Sequence, residues 1–430
     1  MQHFEQYNYL KSSDACVKCG KCLPDCTIFG VNGDEATSPR GFIDLLGAYQ
    51  RGEIPLDKNA KHIFEKCFLC TTCVSVCPNA LPTDTMIENI RYELAQKYGI
   101  AWFKQFFFEL LKNRKLMDLC FKIGAFFAPI LFKSLPKEQS LTPRFKLPFI
   151  KNRVLGAIQT QSFLNSHPKE ITNQKNSTQK VAIFIGCLSN YNYKEVGESL
   201  LKILKFLDIN VVIPKKQKCC AAPAYFTGDF ETTHKLICEN VEYFESFIDE
   251  VDVILIPEAT CAAMVIEDWK HFMQTNPHYL ERIQKLLPKI AMATQWLYHN
   301  TNLQSKLANL PKINQTLTYH DPCHARKVLH IWQEPRALLA QNYQLIEMEN
   351  PNMCCGFGGV TIQSEYFELA QKVGDKKAKM IKDTKADFVV AECNACRMQL
   401  TNALHQNKVP VTFAHPLELI AKNLENKNTN

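Results

Sequence analysis

The chain has 430 residues, 46% of them hydrophobic, which is too long for one ordinary core and predicts two to four domains. A net charge of +7 is modest for this length and does not point to nucleic acid. The 19 cysteines are odd in number and clustered, and the start, MQHFEQYNYLKSSD, is polar with no apolar signal core. The chain therefore reads as cytoplasmic, with its cysteines serving metal or redox chemistry rather than disulfides.

Residues 1–95 carry two cysteine motifs of one spacing, CxxCxxCxxxC: Cys16, Cys19, Cys22, Cys26 and Cys67, Cys70, Cys73, Cys77. Three thiolates so spaced can wrap one iron–sulfur cubane, while the fourth reaches the neighbouring cluster. The spacing assigns Cys16, Cys19, Cys22 and Cys77 to one 4Fe–4S cluster, and Cys67, Cys70, Cys73 and Cys26 to a second. Paired structural zinc sites fit this crowding poorly. Pro78 after Cys77 fits the pattern; Thr27 after Cys26 departs from it. The 40-residue gap between Cys26 and Cys67 contains SPRGFIDLLGAYQRG, which reads as a helix, so a helical ferredoxin domain is expected.

Residues 96–164 form an aromatic and basic connector that reads as helical. Its longest apolar run, FKIGAFFAPILF, is interrupted by Pro129 and too short to span a bilayer. Packing onto the α/β units is the favoured reading, with contact to anionic lipid or to a partner protein as alternatives. Residues 165–180 are polar and read as a linker.

Beyond the linker the pattern becomes α/β and repeats. The runs VAIFIG, NVVIP and VDVILIP read as strands leading to Cys187, to Cys219–Cys220 and to Cys261. The runs LTYHDPCH, YQLIEM and ADFVVAEC lead in the same order to Cys323, to Cys354–Cys355 and to Cys393, with Cys396 following. Between the first cysteine and the pair lie 31 and 30 residues, and from the pair to Cys261 or Cys393 lie 40 and 37. Two α/β units are expected, 181–312 and 313–422, with strand-end cysteines at equivalent places. The first unit is read as degenerate: Ala221 replaces the glycine that follows the second pair, and Met264 stands where a CxxC would place its last thiol. Cys120 and Cys238 lie alone in helical stretches and read as core thiols. His320 and His324 flank Cys323, as ligands or as parts of a turn shaped by Asp321 and Pro322. The tail NLENKNTN reads as disordered.

The pattern Cys323, Cys354–Cys355–Gly356, Cys393, Cys396 resembles the cysteine-rich CCG domain. Two ferredoxin motifs followed by two such domains resemble the iron–sulfur subunits of glycolate oxidase and of anaerobic glycerol-3-phosphate dehydrogenase. GCLSNYN at Gly186, ATQWL at Ala293, ECNACRMQL at Glu392 and HPLELIAK at His415 look most like the latter, and SPRG at Ser38 and YHDPCH at Tyr319 like the former. The resemblance implies an α+β multidomain protein, with a helical ferredoxin domain followed by two α/β CCG domains. It implies an electron carrier between a separate FAD-containing dehydrogenase subunit and a membrane quinone, sited in the cytoplasm or peripherally on the inner face of the cell membrane. The isolated chain would not oxidise substrate, and no GxGxxG fingerprint marks a flavin site on it. In related heterodisulfide reductases paired CCG domains hold noncubane iron–sulfur clusters. By that likeness Cys323, Cys354, Cys355, Cys393 and Cys396 are candidates for an additional cluster, and Cys187, Cys219, Cys220 and Cys261 for a weaker site. The same likeness raises an alternative, a CCG unit with its own catalytic cluster.

Anaerobically purified protein should carry about eight irons from two cubanes. A total above that, with an unusual signal from the oxidised protein, is expected if the CCG cysteines also hold iron. Zinc in place of iron would contradict the ferredoxin assignment.

Overall fold

The computed structural model describes residues 7–135, 139–145, 150, 153–175, 177 and 179–426. The N-terminal part is helical. Its central helix, Pro39–Gln50, starts at Ser38, whose hydroxyl accepts from the Gly41 amide at 3.0 Å, with Pro39 in the first turn where no amide is needed. That helix packs Phe42, Ile43 and Leu46 against Met86, Ile87 and Ile90 of the helix Thr83–Tyr98. Both cysteine motifs hang from the ends of this helical core.

The connector is only partly helical. Trp102–Lys112 packs inward through Phe108, Leu110 and Leu111, and its Lys104 is buried against Glu365 and Thr361. The next helix, Arg114–Leu131, buries only Met117 and Ala128 and exposes Leu119, Ile123, Phe126, Phe127 and Ile130 along one face. The favoured reading of a hairpin packed inward therefore fails for this second helix. After it the chain leaves helical structure for a small antiparallel sheet of β1 (Phe132–Leu135), β2 (Ser140–Pro143) and β3 (Leu155–Gly156).

The stretch read as a linker, 165–180, begins in the short helix Phe163–Ser166 and contains β4 (Glu170–Ile171), which joins the first large sheet antiparallel to β6 (Asn210–Val212). The remaining strands of that sheet are β5 (Lys180–Ile183), β7 (Val253–Ile256) and β8 (Ile290–Met292), in the order β4-β6-β5-β7-β8. The second sheet holds β9 (Thr316–Tyr319), β10 (Gln344–Leu345), β11 (Phe388–Val390) and β12 (Thr412–Ala414), in the order β10-β9-β11-β12. Leaving out β4, the two sheets have the same parallel order, second-first-third-fourth. In such sheets the chain moves away to opposite sides of the first strand, and ligands bind beyond the carboxyl ends at that point. Every CCG cysteine follows the carboxyl end of one of these strands.

The units share a core. The helix Pro416–Asn426 of the second packs Leu417, Ile420 and Leu424 among Leu200 and Leu204 of the first. The end of the tail, 427–430, lies outside the described residues.

The ferredoxin part is tied to both units. The Arg91 guanidinium, 2% exposed, donates to the carbonyls of Cys67 (2.7 Å) and Phe226 (2.8 Å), and also to those of Phe64 and Glu65. Gly228 takes φ +89 and a Cβ there would stand 2.5 Å from the Arg91 carbonyl, so the helix backbone comes as close as it does only over glycine. Arg91→Met should leave these buried carbonyls unpaired and lower stability by about 3 kcal/mol. The expected readouts are a lower unfolding midpoint and faster proteolytic release of the ferredoxin part. An unchanged midpoint would contradict this role.

Candidate iron–sulfur and CCG sites

The eight ferredoxin cysteines line two adjoining hollows. One is bordered by Cys16, Cys19, Cys22 and Cys77, the other by Cys26, Cys67 and Cys70, with Cys73 reaching both. Each motif thus sends its last cysteine to the hollow of the other motif. Burial pushes the Cys26 and Cys67 thiols up to about 12 and raises the Cys73 thiol well above its ordinary value. Sulfurs gathered this tightly become thiolates when a cation binds among them, and the CxxCxxC spacing suits iron–sulfur clusters. The donor set fits that group. Thr27, which departs from the usual proline, puts its hydroxyl 3.4 Å from Cys70 Sγ.

The CCG cysteines converge on one central cavity between the two units. Its lining includes Cys187, Cys220 and Cys261 of the first unit, Cys323, Cys354, Cys355, Cys393 and Cys396 of the second, and Cys70 of the ferredoxin part. Cys219 lies behind, with Cys187, in a smaller adjoining hollow. In the second unit the free thiols form a contiguous set: the Cys354 thiol interacts with those of Cys323 and Cys355, and Cys355 Sγ lies 3.3 Å from Cys396 Sγ. The first unit repeats this linkage, from Cys187 to Cys219, Cys220 and Cys261 in turn.

Strand register corrects the correspondence read from spacing. Leu255 pairs with Ile183 and Val390 with Tyr319. Cys187 and Cys323 each lie four residues beyond the first strand's partner, and Cys261 and Cys396 each six beyond the third's (187−183, 323−319, 261−255, 396−390). Cys261 is therefore the counterpart of Cys396, not of Cys393, and Met264 replaces no thiol. The interval from each pair to this last cysteine is then 40 residues in both units, 221–260 and 356–395. The thiol without a counterpart is Cys393, whose place is taken by Glu258.

Glu258 is 3% exposed, and its carboxylate accepts from the Asn394 amide at 2.9 Å and 3.1 Å. Burial pushes its carboxyl far above the usual range, with Cys393 close by. Ala221 also keeps the geometry of its counterpart: it has φ +83, beside +92 for Gly356. Glycine is needed at 356 for space as well, since a Cβ there would stand 2.9 Å from Val373 Cβ. The first unit thus preserves its thiol cradle with alanine.

Lys327 belongs to no motif in the sequence. Its ammonium, on the turn after Cys323, donates to Thr72 Oγ1 (2.6 Å), the Asn352 carbonyl (3.2 Å) and the Cys70 carbonyl (3.3 Å), and lies 3.8 Å from Cys323 Sγ. Burial works against its charge, yet Cys323, Cys70 and Cys354 hold its pKa above the ordinary value. Cys70 is held well below its ordinary range, chiefly by its bond to Cys354 and further by Lys327. A cation at the seam of two sulfur sets is the expected compensation for thiolates. His324 contacts Thr260 Oγ1 at 3.4 Å and stacks on Phe226. Cys120 and Cys238 lie half-buried against the core, away from both sulfur sets.

Comparison with known proteins agrees with this anatomy. The profile of a 4Fe-4S dicluster domain matches residues 12–81, and that of a cysteine-rich domain matches 181–266 and 317–401. The chain is 28% identical to the probable glycolate oxidase iron-sulfur subunit of Bacillus subtilis, over 90% of this chain and 87% of that one. It is 25% identical to one subunit of the fumarate reductase (CoM/CoB) of Methanothermobacter marburgensis, over 97% of this chain and 73% of that one. Lactate utilization protein A of Geobacillus thermodenitrificans is 27% identical and matches 56% of this chain over 98% of its own length. The crystal structure of a hypothetical protein from Helicobacter pylori shares the fold, with a TM-score of 0.53, 10% identity and coverage of 94% of this chain and 71% of that one. With cysteines, repeat topology and relatives in agreement, the chain is an iron–sulfur protein that joins a 4Fe-4S dicluster domain to two cysteine-rich CCG domains, and it is similar over most of its length to the glycolate oxidase iron–sulfur subunit.

Proposed function

We propose that the chain is the iron–sulfur electron-transfer subunit of a membrane-associated flavoprotein dehydrogenase of the glycolate, D-lactate or glycerol-3-phosphate type. It receives electrons from an FAD-containing partner and passes them toward quinone. The observation that carries the reading is the unbroken row of sulfur sets. It runs from the outer hollow at Cys19, through the inner hollow, past Cys70, which lines both the inner hollow and the central cavity, into that cavity. When bound, iron–sulfur clusters supply single-electron carriage. The two CxxCxxCxxxC motifs would hold 4Fe–4S clusters, and the second CCG unit, through Cys323, Cys354, Cys355, Cys393 and Cys396, a further iron site.

The exposed face of Arg114–Leu131 supports a place on the membrane surface. Its apolar stripe is bordered by exposed Lys115, Lys122, Lys133 and Arg144. Asp118, the one acid between 114 and 135, is turned inward to Tyr191 (2.7 Å) and Asn165 (2.9 Å). An apolar helix face rimmed with cations suits anionic lipid, on which such helices lie in the interface. No helix of the described residues is long and apolar enough to cross a membrane.

The arrival of thiols from both units at the central cavity favours a second reading, in which a small disulfide or quinone is itself reduced at the CCG site. That reading requires Cys355 for turnover, so acceptor reduction left intact in Cys355→Ser would remove it.

Two further outcomes are expected. With its flavoprotein partner the chain should couple substrate oxidation to quinone reduction, whereas the partner alone should reduce only a soluble dye. Purified protein that accepts electrons from no such partner would overturn the proposal. Phe126→Glu with Ile130→Glu should weaken sedimentation with phosphatidylglycerol-containing vesicles by about tenfold and leave iron content unchanged. Undiminished vesicle binding would remove the membrane assignment.

A further inference from the structure

His320 ends the first strand of the second unit, with its backbone amide donating to the Val390 carbonyl at 2.9 Å. Its side chain is fully buried, and neither ring nitrogen reaches an oxygen or nitrogen partner. The imidazole faces the thiols: a ring nitrogen, Cys355 Sγ and Cys396 Sγ all lie within 4.8 Å of one another. Its near polar neighbour is the Cys355 thiol, and a buried imidazole held only by sulfur calls for a cause such as an ion or a catalytic role. The cation nearest this cluster, Lys377, is spent on the Asn350 and Pro351 carbonyls. An imidazole nitrogen set against two thiols is a donor set that transition metals take.

We infer that His320 is a nitrogen ligand to the iron of the second CCG unit, forming with Cys355 and Cys396 a mixed imidazole–thiolate site. The inference rests on the reading that this unit holds iron. It also separates the two units. By strand register the counterpart of His320 is Phe184, one residue beyond Ile183 as His320 is one beyond Tyr319. The first unit therefore offers thiols and a carboxylate, and the second unit thiols and a neutral nitrogen. Replacing an anionic thiolate by imidazole raises an iron–sulfur potential. The second unit then becomes the point in the row where an electron is held most firmly.

The test uses the full chain purified anaerobically with ¹⁵N-labelled histidine. Pulsed EPR of the non-cubane signal should show a nitrogen coupling that changes with the label and is absent in His320→Phe. His320→Cys should retain the iron and shift that centre alone to lower potential. The reduced cubane signals serve as the control that each variant has folded. A non-cubane signal without histidine coupling, or variants with unaltered potential, would overturn the inference while leaving the iron reading standing. An iron count of no more than about eight per chain would overturn that reading and this inference with it.

Discussion

The arrangement depends on a buried guanidinium. Arg91 is closed off from water, yet its two Nη groups donate to carbonyls from two places: the turn entering Cys67, and Phe226 of the first unit. Burying a charge is costly unless it is hydrogen-bonded, and here the acceptors are backbone groups that would otherwise lose this partner. The same contact fixes where the Cys67–Cys73 loop lies. From that position Cys70 meets Cys354, and Phe68 packs over Gly358, where a Cβ would stand 2.7 Å from its ring. Ferredoxin part and CCG units are thus assembled around one loop.

Charge compensation follows the same geography. Lys327 lies at the seam between ferredoxin loop and second unit, and Lys377 behind the second cysteine pair. Among the described residues the first unit has no comparable lysine at its thiols; it has Glu258, whose carboxyl burial pushes far above the usual range. The two units share a backbone plan but differ in what surrounds their sulfur, lysines in one and a buried carboxyl group in the other. That asymmetry gives the cavity between them a direction.

Much of this is legible in the residues. The eight ferredoxin cysteines and the order of the two repeats declare themselves by spacing, because ligand chemistry restricts the intervals. What spacing does not supply is register. Cys261 matches Cys393 on spacing because each is the first cysteine after its strand, and only pairing across the sheets shows that Glu258 holds that place. Strands of three residues such as β8 and β12 are too short for alternation to mark them. The aromatic connector is ambiguous for a different reason. A stripe of phenylalanine at helical spacing looks the same whether it faces a core or a lipid, and only the position of the neighbouring elements tells which. Lys327 and Arg91 lie in no motif, since their partners are main-chain carbonyls and distant loops.

Cys19 is the single exposed cysteine of the chain. The outer hollow therefore opens at the protein surface, while the inner hollow behind it is bordered by Phe42 and Phe68. An opening that admits a donor's electrons also admits dioxygen and chelators. Damage in air should begin there and proceed inward, so a preparation could lose its entrance while its interior centres remain intact.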